Sequence, residues 1–251
     1  MKKAIQITFL GTNGWFDSPT GSTVCAVADT PECVVILDAG YGLHKLDSVI
    51  DQQKPVYLFL SHAHLDHTVG LHVLAKFSFA RGLTIFTPPA LRAAVRRLCA
   101  QPLTVPLAQL PFPVELRSVP RRFSLPGGGG IALPLVHSSV CFGYRFELSG
   151  RTLAYCTDTG ICANAVKLAR AADILITECA LQLGQDDGGW PHLDPHKAAG
   201  LARQAGAKQL MLTHFDAQVY RTTAQRAQAQ AQARQVFPQA RVARDGLRIC
   251  V

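Results

Sequence analysis

The chain has 251 residues, 48% of them hydrophobic and 17% charged, with a net charge of +8 and a pI near 9.2. That is enough apolar material for a large core, in one domain spanning 1–251 or in two tightly packed halves. No segment approaches the roughly 18 consecutive apolar residues of a membrane span, which excludes an integral membrane protein built on helices. The positive balance favours anionic partners through electrostatic steering. Six arginines fall between Arg221 and Arg248, but a solvated basic face gives the same pattern, so the charge is a footprint and not a site.

Taken in order, the chain opens on Met1-Lys2-Lys3, which has the charge of a signal peptide's first segment. The run Ile5 to Leu10 that follows is interrupted by Gln6 and Thr8 and ends on Gly11, without a cleavage site, so it reads as a first strand of a cytoplasmic protein. Further strands are predicted at Val34–Leu37, Val56–Leu60, Leu83–Phe86, Val114–Val119, Ile131–Val136, Phe142–Leu148 and Leu153–Cys156. The last three are Ile174–Thr177, Leu210–Leu212 and Leu247–Val251. Helical spacing marks Leu91–Cys99, and Ala/Gln/Arg-rich composition marks Thr222–Val236. Asp194-Pro195 carries an N-cap and a first-turn proline for a helix with a small apolar stripe, ended by Gly206. Gly127 to Gly130 reads as a flexible hairpin connection, because no Lys-Ser/Thr follows to make a phosphate loop. The eight cysteines include no C-x-x-C pair and read as reduced core thiols.

A weak internal echo joins the two halves. Leu37-Asp38-Ala39-Gly40 resembles Thr157-Asp158-Thr159-Gly160, and Leu60-Ser61-His62 resembles Leu212-Thr213-His214. Each places Asp or His just past an apolar strand, which suits a two-halved α/β architecture with one site where the halves meet.

The densest chemistry is at Ser61-His62-Ala63-His64-Leu65-Asp66-His67. Three imidazoles and a carboxylate are ligands for zinc, manganese or iron. In an extended stretch His62 and His64 point to the same side. Asp66 and His67 then begin a helix, with Asp66 a plausible N-cap, and aim at a second metal. Further ligand candidates at strand ends are His137, Asp158 and His214. Asp38 is either a turn residue or a brace for a ligating histidine. His44 and His72 read as surface or groove residues, and His196 as a solvated helix residue.

The motif His62-x-His64-x-Asp66-His67, followed by His137, Asp158 and His214, resembles the metallo-β-lactamase fold superfamily. With Phe9-Leu10-Gly11-Thr12 and Leu37-Asp38-Ala39-Gly40 the likeness spans nearly the whole chain. It implies a four-layer αββα sandwich with two divalent ions at one edge, most simply zinc. His62, His64 and His137 would hold the first ion, Asp66, His67 and His214 the second, and Asp158 would bridge them. Ala172 to Glu178 and His192-Leu193 look most like the ribonuclease Z-like branch, in which Glu178 would pair with His192. A histidine there can protonate a leaving oxygen or stabilise phosphoryl charge while a carboxylate orients it.

Two departures matter. His137 and Asp158 are separated by a stretch with room for a hairpin and no tRNA-gripping arm, and Pro19-Thr20-Gly21-Ser22 replaces an Arg-Asn pair. The sequence therefore points to an arm-less phosphodiesterase, with tRNA processing disfavoured and a homodimer suggested by resemblance alone. The expected activity is hydrolysis of a small or nucleotide-derived phosphodiester by a metal-bridging hydroxide, with Asp66, His192 and Glu178 assisting. Two other readings stay open: a carboxyl-ester, sulfate-ester or lactone hydrolase of the same fold, and a nucleic-acid-binding protein with a non-catalytic metal site.

Overall fold

The computed structural model describes residues 4–186 and 188–251, so the charged start Met1-Lys2-Lys3 lies outside the described residues. The strands in chain order are β1 (Gln6–Gly11), β2 (Asn13–Gly14), β3 (Cys25–Asp29), β4 (Val34–Leu37), β5 (Val56–Phe59), β6 (Leu83–Thr87), β7 (Val114–Ser118) and β8 (Arg122–Leu125). They continue with β9 (Gly128–Pro134), β10 (Phe142–Leu148), β11 (Arg151–Cys156), β12 (Ile174–Glu178), β13 (Leu210–Thr213), β14 (Phe215–Asp216), β15 (Ala240–Val242) and β16 (Arg248–Cys250). The helices are α1 (Arg92–Leu98), α2 (Ala163–Ala169), α3 (Pro195–Ala205) and α4 (Thr223–Val236).

Two seven-stranded sheets form, in the orders β16-β1-β3-β4-β5-β6-β7 and β15-β13-β12-β11-β10-β9-β8. Within the first, β4 to β7 run parallel; within the second, β11, β12, β13 and β15 do. The inner ones, β4, β5, β6, β12 and β13, are covered on both faces, which is why they read as nearly unbroken apolar runs, whereas the edge strands β7 and β15 carry exposed charges. Their period of two divides the side chains between layers. Val35 and Leu37 face the second sheet while Val34 and Ile36 face outward, and Ile174 and Ile176 face the first sheet while Leu175 faces outward. Phe59 centres the inter-sheet layer, with Phe86, Phe123, Tyr144 and Phe146 all within 5.2 Å between ring centroids. The outer face of the second sheet is covered by α2, α3 and α4; that of the first by α1 and the 3-10 segments Tyr41–Ser48 and Val69–Lys76. The result is the αββα sandwich that the resemblance implied. No helix among the described residues is long and apolar enough to cross a membrane.

Local signals held where capping chemistry was explicit. The Asp194 side chain accepts the Lys197 N–H at 2.8 Å, and Gly206 closes α3 at φ 64°. Thr222 and Gln225 make a reciprocal capping box at the start of α4. Two expectations fail. Asp66 is not an N-cap: it lies inside the 3-10 turn Leu65–His67, whose cap position is His64 and has no side-chain cap bond. Gly128 to Gly130 are not a flexible loop either, but the first half of β9, paired with Glu147, Phe146 and Leu148. A Cβ on Gly128 would lie 1.9 Å from the Glu147 carbonyl, so the glycines let two strands approach. The cysteines are all free thiols, seven of them buried or partly buried and Cys250 exposed.

Candidate metal centre

The site lies beyond the carboxyl ends of parallel strands from both sheets, where open α/β sheets bind ligands. Asp38 follows β4, His62 and the Leu65–His67 turn follow β5, Asp158 follows β11, Glu178 ends β12 and His214 follows β13. His137 comes from the loop after β9. Asp38, Asp158 and His214 all have left-handed backbone, φ 58°, 51° and 51°. Asp and His tolerate that conformation better than branched residues do, and strain of this kind collects at functional sites. The internal echo therefore has a structural counterpart: each half turns a strand end sharply to aim a ligand-type side chain at the seam.

All seven expected metal ligands come together. One trio has the His137 Nε2 3.4 Å from His64 Nδ1, with His62 completing it. The other has His214 Nε2 3.0 Å from His67 Nε2 and 3.2 Å from Asp66 Oδ2. Asp158 stands between them with its two oxygens divided. Its Oδ2 faces His62 Nε2 at 3.8 Å and His137 Nε2 at 3.9 Å; its Oδ1 faces His67 Nε2 at 3.2 Å and His214 Nε2 at 3.3 Å. Ligand atoms about 2.0 Å from a tetrahedral zinc are about 3.3 Å apart, so this spacing is that of a coordination shell. The buried His62 Nε2 has no hydrogen-bond partner among the described residues, a costly state for a polar atom unless an ion serves it. The donor set fits divalent ions.

The electrostatics divide the cluster in the same way. Burial, reinforced by the neighbouring His67, pushes His62 well below the ordinary histidine range, and burial pulls His64 and His137 down as well. The shift favours the neutral form of all three, the form that ligates a metal. Burial would lower His67 too, but Asp158, Asp66 and Asp38 outweigh it and hold it well above the usual value; Asp158 and Asp66 do the same for His214. Burial would raise Asp158 and Asp66, yet the facing imidazoles hold both carboxyls low. A cation held at the second trio would need His67 and His214 unprotonated, so its affinity is expected to weaken as pH falls.

A supporting shell fixes these groups. Asp38 is fully buried and accepts from His67 Nδ1 at 2.9 Å, Ser61 N at 2.6 Å, Ser61 Oγ at 2.8 Å and the Tyr155 hydroxyl at 2.7 Å. It is thus a brace for His67 and more than a turn residue. Glu178, also fully buried, accepts from His192 Nδ1 at 2.9 Å, from Thr159 N at 2.6 Å and from Leu193 N at 3.2 Å. A ring nitrogen of His192 lies within 4.8 Å of ligand atoms of His137 and Asp158. His196 is turned away, 3.3 Å from Gln235, and His44 and His72 flank Tyr41 at the surface.

Sequence reasoning missed the β1–β3 loop. The Trp15 N–H donates to Asp66 Oδ2 at 2.8 Å, and β2 pairs with β14 beside His214. Arg226, counted among the surface arginines, is buried: it bonds Thr12, Asn13 and Thr20, and its guanidinium lies 4.7 Å from the Phe215 ring. The arginine pins this loop to the site. A Cβ on Gly14 would lie 2.5 Å from His214 Cε1. Gly14→Ala is therefore expected to displace His214 and cost roughly 10- to 100-fold in affinity for the second ion. Chelator competition measures it, and unchanged affinity for both ions would refute the role given to Gly14.

Comparison with known proteins agrees with this geometry. The family model described as the beta-lactamase superfamily domain matches residues 34–215, which takes in every group from Asp38 to His214. The chain is 28% identical to a ribonuclease Z of Lactiplantibacillus plantarum, over 96% of each chain. That alignment runs over 308 positions, so the relative carries residues this chain lacks. Among solved structures, the metallo-beta-lactamase fold protein YhfI from Bacillus subtilis shares the fold with a TM-score of 0.83, at 21% identity and full coverage of both chains. A diphosphatase from the PhnP family does so with a TM-score of 0.74 at 18% identity, covering 98% of this chain and 97% of that one.

Proposed function

The chain belongs to the beta-lactamase superfamily and is a metal-dependent hydrolase, and from that premise we propose that it cleaves a small or nucleotide-derived phosphodiester with two divalent ions, zinc in the first instance. His62, His64 and His137 would hold one ion, Asp66, His67 and His214 the other, with Asp158 shared. Ions so held acidify water at neutral pH and neutralise charge on phosphoryl oxygens.

The observation that carries the choice of phosphorus is the Glu178–His192 pair. Burial pulls His192 down, but Glu178 more than compensates, in charge and in hydrogen bonding, and raises it to about 9. Its Nδ1 is taken by Glu178, which leaves Nε2 to carry a proton toward the cluster. A charged imidazolium there stabilises an anionic phosphoryl group and can give its proton to a departing alkoxide. Asp66, anchored by the Trp15 N–H and by His214, keeps one carboxylate oxygen fixed toward the centre of the cluster. Between His137 and Asp158 the chain is occupied by the β10–β11 hairpin, and the ribonuclease Z relative is the longer in alignment. Small diesters therefore come before tRNA precursors in this reading.

The test is hydrolysis of bis-p-nitrophenyl phosphate by the zinc- or manganese-loaded protein. Turnover is expected, with His64→Ala lowering it roughly 100-fold or more through loss of an ion. No turnover with two ions bound per chain would move the activity to carboxyl, sulfate-ester or lactone substrates. Efficient 3′ trimming of a tRNA precursor would overturn the preference for small diesters.

A further inference from the structure

The sequence contains two tryptophans, and the cluster's chemistry uses neither indole. Both are largely in solvent, Trp15 at 62% and Trp190 at 55% exposure, although tryptophan is on average a well-buried residue. Trp190 lies against the first trio, and Trp15 lines a groove that reaches Asp66 of the second. The Trp190 ring is 6.0 Å from that of His64 and 6.3 Å from that of His137, both in the first trio. Trp15 touches the second trio through its backbone N–H, which donates to Asp66 Oδ2. A groove of about 240 Å³ beside Asp66 is walled by Trp15, Phe16, Tyr41, Leu65 and Val69. Trp15 has left-handed backbone, φ 70°, an unfavourable conformation for an aromatic residue. The Asp66 bond and the edge-on Phe16 ring, 5.3 Å away, accompany it there. The backbone conformation turns the Trp15 N–H to Asp66, and an exposed aromatic ring beside such a strained, site-bound turn is placed to meet a ligand.

We propose that Trp15 and Trp190 are stacking platforms on either side of the scissile phosphorus, each taking one flat ring of a linear diester. The preferred substrate is then a dinucleotide or short oligonucleotide and not a cyclic nucleotide. The proposal rests on the phosphodiesterase reading and sharpens it. A diester centred at Asp158 sends one arm toward each trio, and so toward the Trp190 ring on one side and the groove lined by Trp15 on the other. Every base presents a π-face, so stacking of this kind tolerates any base. A cyclic nucleotide has one base and reaches one platform. The net charge of +8 favours the approach of an anion to the protein as a whole.

Because these are the only tryptophans, intrinsic fluorescence reads the platforms directly. The zinc-loaded protein is titrated with dithymidine carrying a non-hydrolysable methylene phosphonate link. Saturable quenching is expected. Trp15→Leu and Trp190→Leu should each weaken binding by roughly 5- to 150-fold, with the remaining indole still quenched. Trp15→Phe and Trp190→Phe should restore most of the affinity. The kcat/KM ratio of dithymidine phosphate to methyl p-nitrophenyl phosphate should fall in each leucine variant. If Trp15→Leu fails to fold, Trp190→Leu alone decides. Hydrolysis of methyl p-nitrophenyl phosphate with no quenching and no preference for dithymidine phosphate would overturn the platforms while leaving a phosphodiesterase. Hydrolysis of neither diester would overturn the phosphodiesterase reading, and the platforms with it. Tighter binding of decyl phosphate than of the dinucleotide, read as a saturable blue shift of the emission, would assign the rings to an alkyl chain and overturn the platforms.

Discussion

Asp158→Ala is expected to strip both ions from the protein, leaving metal content near zero per chain where the wild type holds two. Among the described residues no other side chain faces both trios with separate oxygens, Oδ2 toward His62 and His137 and Oδ1 toward His67 and His214. Several kcal/mol of charge stabilisation depart with the ions, and each 1.36 kcal/mol is tenfold, so turnover should fall by roughly four orders of magnitude or more. Alanine is a poor occupant of the left-handed backbone at φ 51°, so the variant also carries a conformational cost. Asp158→Asn separates the two effects. Asparagine tolerates that backbone and keeps the shape, but offers one oxygen and no charge. It should fold as the wild type does and still bind metal weakly. Elemental analysis after dialysis against zinc checks both variants. Two ions retained in Asp158→Ala would refute the shared carboxylate.

What could be read in advance follows the range of the interactions involved. His62, His64, Asp66 and His67 were legible because all four sit within six residues. Asp158 and His214 were legible as ligand candidates because they are polar residues past apolar strands beside such a cluster, and the resemblance then gave each its expected place in the ligand set. The strands that were missed give weak local signals. Cys25–Asp29 begins with Cys-Ala and has no turn residue before it, and Arg122–Leu125 is an edge strand whose partner is largely glycine. Gly128 to Gly130 were misread because glycine in a strand is usually a cost. Here it is the only residue that fits against Glu147. The Gly14–Trp15 loop and Arg226 were beyond reach for another reason. The bond from Arg226 to Thr12 joins residues 214 positions apart, and no periodicity or capping pattern encodes that distance. The Glu178–His192 pair lies between these extremes: 14 residues apart, on a strand end and a helix approach, and found through the family pattern.

That pair gives the second large effect. His192→Ala should keep both ions and lower kcat by roughly 10²- to 10⁴-fold, the range for a positioned acid or base. The loss should be larger for a diester with an alkoxide leaving group than for a p-nitrophenyl ester, whose phenolate departs without needing a proton. The pH profile supplies the sign. In the proposed role His192 would act as its protonated form, and its pKa is raised, to about 9, chiefly by Glu178 working against burial. Activity on an alkyl diester is therefore full at neutral pH and falls as pH rises through that value. Bound cations lower it, so the basic limb lies at or below about 9. Glu178→Gln removes the raising charge while keeping an acceptor for His192 Nδ1, and the limb should move by at least one unit toward neutral pH. A structural role for Glu178 would change the height of the profile without moving its limb. Loss of an ion from His192→Ala would overturn the acid role differently: it would make His192 a ligand, with His137 and Asp158 as its neighbours.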